Sequence, residues 1–287
     1  MTTMRKGIDV SKHQGIIDWQ KVKEAGIAFA MIRAGYGAGT VDARAHRNFS
    51  ECNRLGIPCG AYWFSYAHTE EMARREARAC LAAVAPYRLD YPIAFDFEYD
   101  SVTRAAKAGV TVTKDLASRI ARAFCETIEA AGHYVINYAN RDYLGRYFDE
   151  QIRRRYDLWL AQWPKEPDLA RPPECGIWQY SSTGRVPGID GDVDLDVTYQ
   201  DYPALLAQQR GDAAPPKEPI PPKAEEPGTP DEGGPDDGPK EETEGTRARA
   251  WARAQGISDG ERPDGPATRE QVWVMLYRMT QQEEPKD

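Results

Sequence analysis

Up to about Tyr202 the chain alternates between two hydrophobic periods. In Ile93-Ala94-Phe95-Asp96-Phe97-Glu98 the large apolar residues take every second position, and small or acidic residues take the others. A period of two is the pattern of a strand, with Ile93, Phe95 and Phe97 on one face and Ala94, Asp96 and Glu98 on the other. The same reading predicts strands over 6–11, 29–34, 59–66, 133–139, 157–163, 176–182 and 192–199. Between them fall helical stretches. One runs over 19–25, capped by Asp18 and stopped by Gly26. A second is capped by Asp42, carries Phe49, Cys52 and Leu55, and ends at Gly56. A third covers 69–84. The best helix covers 114–131, where Leu116, Ile120, Phe124 and Ile128 recur four apart and Gly132 terminates the run. Helices become scarce after the sixth strand. Eight strands interleaved this way predict an α/β protein, an irregular TIM-like (β/α) barrel whose functional side chains sit at the C-terminal strand ends.

The pattern stops at Gly211. From there to Thr246 come nine prolines, eleven acids and three lysines, with no aromatic residue. Such a stretch cannot form a core and reads as an extended, self-repelling linker with a reach on the order of 100 Å. Helical patterning returns after Arg247, where Thr268 and Gln271 form a capping box ahead of Val272, Met275, Leu276 and Met279. The predicted organisation is therefore a barrel over 1–210, an acidic linker over 211–246 and a small helical module over 247–287. A module this short cannot hold a core alone, which suggests docking or self-association into a homo-oligomer.

The linker also explains the net charge of -8, because outside it the acids and bases balance. No basic field for nucleic acid exists. No run of apolar residues is long enough to span a membrane. The N-terminal residues lack the apolar core of a signal peptide, so synthesis in the cytoplasm without export by that route is expected. Five cysteines, Cys52, Cys59, Cys80, Cys125 and Cys175, form no CxxC pair and no even framework. His13, His46, His68 and His133 are scattered, so neither a metal nor another cofactor is expected.

Candidate chemistry lies in the carboxylates. Asp96 and Glu98 share a strand face, and two adjacent carboxylates repel, so they gain nothing for a fold. In a cleft, one can stay ionised while its neighbour's pKa rises, which is what glycoside hydrolysis requires. Asp9 shares a face with Ser11 on the first strand, and Asp192, Asp194 and Asp196 share a face on the last. With the aliphatic faces packed on outer helices, these acids converge in the barrel mouth. A calcium loop over 190–201 is disfavoured, because its sixth position is Leu195 and its twelfth Asp201. Aromatic residues on predicted strands, Tyr62, Phe64, Tyr138, Trp159, Trp163 and Trp178, are candidates for stacking on sugar rings, although such residues also build cores.

These residues carry a resemblance. Gly7-Ile8-Asp9-Val10-Ser11, His13-Gln14-Gly15, Asp18-Trp19, Gly60-Ala61-Tyr62-Trp63-Phe64 and Phe95-Asp96-Phe97-Glu98 resemble the family 25 glycoside hydrolases. So do Tyr138, Trp159-Leu160-Ala161, Trp178-Gln179-Tyr180-Ser181 and Val193-Asp194-Leu195-Asp196. This family comprises the lysozymes of the Chalaropsis type, common in phage endolysins. The resemblance covers residues 5–202. It implies an N-acetylmuramidase that hydrolyses the β-1,4 bond between N-acetylmuramic acid and N-acetylglucosamine in bacterial peptidoglycan. It also implies Glu98 as general acid/base, Asp96 as second catalytic carboxylate, and Asp9 and Asp194 as supporting acids. Tyr62, Phe64, Tyr138, Trp159, Trp178 and Gln179 become the substrate contacts. The family often has Asn where Asp196 stands. Two residues along one strand place Cα atoms roughly 6.5–7 Å apart, which suits a retaining mechanism. Asp96 then acts either as nucleophile or by orienting the substrate's 2-acetamido group.

The stretch from Trp251 through Gly256-Ile257-Ser258-Asp259-Gly260 to Met275-Leu276-Tyr277-Arg278 resembles part of an S-layer homology repeat. That resemblance implies binding to a secondary cell-wall polymer, and a phage or prophage endolysin that reaches the wall after release from the cytoplasm. A chitinase-like D-x-x-D-x-D-x-E site would need acids at Tyr91 and Ala94, and neither is one. A non-catalytic wall-binding barrel is the other alternative. It is disfavoured by the presence of both Asp96 and Glu98.

Overall fold

A computed structural model describes residues 4–170 and 172–211. The predicted linker, the helical module and its capping box lie outside the described residues. Nine strands form one sheet: β1 (Arg5–Val10), β2 (Phe29–Tyr36), β3 (Thr40–Val41), β4 (Cys59–Phe64), β5 (Ile93–Asp96), β6 (Val135–Asn140), β7 (Asp157–Ala161), β8 (Ile177–Gly184) and β9 (Val193–Thr198). Their order is β1-β9-β8-β7-β6-β5-β4-β2-β3, and β1 also pairs with β2, which closes eight of them into a barrel. The two-residue β3 hangs on the edge of β2 as an antiparallel extension and had no pattern long enough to be read.

All barrel pairings are parallel except those of β9, which runs antiparallel to both β8 and β1. The reason is length. A parallel crossover needs about a dozen residues or more, and the β8–β9 connection, residues 185–192, is too short for one.

Helices cover the outside: α1 (Trp19–Glu24), α2 (Ala45–Leu55), α3 (Glu70–Val84), α4 (Tyr99–Lys107), α5 (Lys114–Ala130), α6 (Arg141–Arg146), α7 (Glu150–Arg155) and α8 (Tyr202–Arg210). Side-chain oxygens of Asp18, Thr69 and Thr113 accept the backbone N–H groups of Lys21, Met72 and Leu116, each at 3.2 Å, and so start α1, α3 and α5. Asp42 does not cap α2 as its position predicts. It is buried, and it takes Arg33 Nε at 2.8 Å, the Lys12 N–H at 3.1 Å and the Arg44 N–H at 2.9 Å. A buried carboxylate gains more from a guanidinium partner than from a cap.

The strand alternation separates two cores. Ile8, Val10, Ile32, Ile93 and Phe95 point outward, against a helix layer that includes Ile120, Phe124 and Ile128 of α5. Each such fully buried side chain contributes about 1.5–3 kcal/mol. Phe29, Met31, Ala94, Ile136, Tyr138, Trp159 and Ile177 point inward. Gly7 makes room for this filling, since a Cβ there would meet the Phe29 ring at 2.3 Å. Tyr202 and Leu206 bring α8 against the same interior cluster, so α8 is part of the barrel.

Candidate active site

A cleft of about 240 Å³ opens at the barrel mouth, lined by Asp9, Ser11, His13, Gln14, Arg33, Tyr62, Phe64, Asp96, Glu98, Tyr138, Trp159, Gln179 and Asp194. It sits at the C-terminal ends of the parallel strands, where diverging strands leave side chains unpacked. Because β9 runs the other way, it contributes from its beginning, and Asp194 lies directly opposite Asp9 in register.

The sequence places Asp96 and Glu98 on one strand. In the structure β5 ends at Asp96, and Glu98 stands at the N-cap of α4, its own N–H donating to Ser101 Oγ at 3.0 Å. The chain turns out of the sheet here, so α4, which the pattern did not reveal, begins directly after the acid it positions. Asp96 and Glu98 nonetheless line the same cleft, near enough for each to shift the titration of the other. Burial raises both above the usual carboxylate range. Mutual repulsion raises Asp96 further, against a smaller opposing pull from Arg33. Glu98 is raised by burial and by the nearby charges of Asp100 and Asp194, while its contact with Asp96 lowers it. Burial thus favours the neutral form of both carboxyl groups, and the two titrate as a pair.

A second acidic group faces it. Gln179 Nε2 donates to Asp9 Oδ2 at 2.7 Å, and Trp159 Nε1 donates to Asp196 Oδ1 at 2.8 Å. Burial pushes the Asp9 carboxyl well up, and repulsion from Asp196 and Asp194 pushes it further. Burial raises Asp194 to about 6 and Asp196 to about 8. Asp196 is wholly buried and, unlike Asp9 and Asp194, is not part of the cleft lining. Asp192 is exposed, pairs with Arg185 at 3.1 Å and does not join them.

Of the predicted sugar contacts, Tyr62, Phe64, Tyr138, Trp159 and Gln179 reach the cleft, and Trp178 does not. Trp178 is next to inward-facing Gln179 on β8, so alternation turns it outward, where its Nε1 donates to the Gln162 carbonyl at 2.8 Å. Tyr62 and Tyr138 stand edge-on to Trp159, with ring centroids 5.7 and 4.9 Å away. The Tyr138 hydroxyl donates to Gln179 Oε1 at 3.1 Å. Burial raises both tyrosines, so they remain neutral donors.

Arg33 was missed, and a signal for it existed. It is the one charge in the otherwise apolar Phe29–Tyr36 run and shares parity with inward-facing Met31. His13 and Gln14 enter through the short 3-10 turn Lys12–Gln14 that follows β1. Among the described residues no group of three or more His, Cys, Asp or Glu side chains has the geometry to hold a metal ion.

Comparison with known proteins places the cleft in context. Residues 8–189 match Glycosyl hydrolases family 25. Lysozyme M1 of Streptomyces globisporus is 30% identical over 216 residues, covering 70% of this chain and 70% of its own. The Escherichia coli K12 protein YegX is 31% identical over 204 residues, covering 67% and 68%. The modular autolysin LytC of Streptococcus pneumoniae superposes with a TM-score of 0.58 at 29% identity. That match covers 68% of this chain but only 46% of LytC, so the chain spans less than half of that autolysin.

Proposed function

The chain belongs to the glycosyl hydrolases of family 25, and from that premise we propose that its cleft cleaves the glycan of bacterial peptidoglycan. The bond is the β-1,4 link between N-acetylmuramic acid and N-acetylglucosamine, cut with retention of configuration. One observation carries this reading: Asp96 and Glu98 meet in an open cleft as two largely buried carboxyl groups, an arrangement that costs stability and serves chemistry.

Glu98, the less buried of the two, donates its proton to the leaving oxygen. Asp96 and Glu98 stand two positions apart at the end of β5, a spacing that suits retention better than the roughly 6.5–9.5 Å separation of an inverting pair. Retention runs through Asp96 as nucleophile or through the substrate's own 2-acetamido oxygen, and we take the second route, in which that oxygen attacks the anomeric carbon. Asp96, buried and with Oδ1 unpartnered among the described residues, accepts the acetamido N–H and stabilises the charge that develops there. Water, deprotonated by Glu98, then opens the cyclic intermediate. Asp9, Gln179 and Asp194 hold the sugar on the opposite wall, and the edge-on aromatic group of Tyr62, Tyr138 and Trp159 shapes the base of the cleft. Arg33, fixed by Asp42, moderates the negative charge at Asp96.

The wider role that fits is an endolysin of a phage or prophage, made in the cytoplasm and acting on the wall after release. The linker would tether a C-terminal module that binds a secondary wall polymer or associates with its copies. Mass spectrometry of digested walls tests the bond. Muramic acid at the new reducing end is the expected product, and glucosamine there overturns the assignment.

A further inference from the structure

Trp163 is one of the few large apolar side chains among the described residues that stay exposed, at 56%. It follows β7 at the cleft rim and is not part of the cleft lining, yet its one polar atom points back into the site. Nε1 donates to Gln179 Oε1 at 3.1 Å, the same oxygen that accepts the Tyr138 hydroxyl. The other end of that amide donates to Asp9. The preceding residue is held as firmly. The Gln162 N–H donates to the Gln179 carbonyl at 3.1 Å, its own carbonyl accepts Trp178 Nε1, and its Oε1 accepts Arg141 Nε at 2.7 Å. The indole is thus anchored at its edge while its ring remains largely in water. A tryptophan is normally buried for its large apolar area, and one held outward beside a cleft forgoes that gain.

We propose that Trp163 is a stacking platform for a pyranose ring of the glycan, one sugar beyond those held inside the cleft. This rests on the reading of the cleft as a peptidoglycan glycosidase site. The C–H face of a pyranose is apolar and its rim is polar. It matches an indole whose face is free and whose N–H is already satisfied.

The test uses the full-length chain carrying Glu98→Gln, so that glycan binds without turnover. Calorimetry would compare a stem-free GlcNAc–MurNAc tetrasaccharide and disaccharide on this parent and on two further variants, Trp163→Ala and Trp163→Phe. The Ala variant should bind the tetrasaccharide more weakly by on the order of tenfold and the disaccharide nearly as before. The Phe variant, which keeps a ring and loses the N–H, should retain most of the tetrasaccharide affinity. Unchanged tetrasaccharide binding by the Ala variant overturns the platform alone. So does a Phe variant as weak as the Ala variant, because the N–H bond to Gln179 would then carry the effect. A parent that binds neither glycan overturns the reading of the cleft as well.

Discussion

The hydroxyl of Ser101 donates to the carbonyl of Ser65 at 2.6 Å and accepts the N–H of Glu98 at 3.0 Å. Ser65 in turn donates its N–H to the Asp96 carbonyl at 2.7 Å. One buried serine pair therefore fixes the backbone at both carboxylates, joining the end of β4 to the start of α4. Ser101→Ala leaves the Ser65 carbonyl and the Glu98 N–H without this partner. It should cost about 1–3 kcal/mol of stability. It should also lower kcat with little change in KM, because the acid is displaced and the sugar contacts remain. Steady-state kinetics alongside thermal melts would check this, and a loss confined to stability would refute the positioning role.

Glu98→Gln removes the proton donor and keeps the shape, so turnover should fall by about 10²–10⁴-fold while the fold and wall binding persist. Asp96→Asn should also lose most activity. In the wild type an NMR time course should first show the β-anomer of the new reducing end. Early appearance of the α-anomer would exclude retention.

The raised pKa of Glu98 predicts a pH–rate profile that falls on the alkaline side as the proton is lost. Asp100 is exposed on the first turn of α4, and its charge contributes to that rise after burial. Asp100→Asn should therefore move the alkaline limb to lower pH without unfolding the chain. A limb that stays in place, or moves upward, would contradict this electrostatic account.

Glu76 of α3 is buried with Oε1 accepting the Tyr66 N–H at 3.1 Å, and burial raises its carboxyl from the ordinary 4.5 to about 7. Below pH 4.5 it is neutral whether folded or not. Between 4.5 and 7 only the folded chain keeps the proton, and above 7 the folded chain bears an ionised buried acid. Stability is therefore lost progressively as pH rises from about 4.5 to about 7, by an amount on the order of 3 kcal/mol. Asp194 and Asp196, raised to about 6 and about 8, act in the same direction. Melting temperature should fall between pH 5 and pH 8, and Glu76→Gln, permanently neutral, should flatten part of that fall. A parallel pair of curves would show that Glu76 does not titrate as argued.

Removing residues 212–287 should leave cleavage of short soluble glycans intact and slow the lysis of whole cells, since a tether raises the local concentration of the barrel at the wall. The cut belongs after Gly211, because α8 packs Tyr202 and Leu206 against the barrel interior and the Tyr202 hydroxyl donates to Asp157 at 3.3 Å. Turbidity assays on intact cells compare the two forms. Equal rates would deny the tail a targeting role.

The amino-acid sequence by itself determined whatever depends on near neighbours along the chain. Alternation set Ile93 and Phe95 outward and Ala94 and Asp96 inward, and the Asp18, Thr69 and Thr113 caps started their helices where a side-chain oxygen could reach a free N–H. The same alternation, applied strictly, excludes Trp178 once Gln179 faces the cleft. Tertiary structure alone decided that β9 reverses, so that Asp194 meets Asp9 from a strand end opposite to the others. It also drew Asp42 away from α2 to Arg33, made Glu98 the first residue of a helix approach, and placed Gln179 between Asp9, Tyr138 and Trp163. Each of these joins residues from separate strands or turns. No local period encodes such a pairing, because it arises only when the barrel closes and every buried polar group must find a partner.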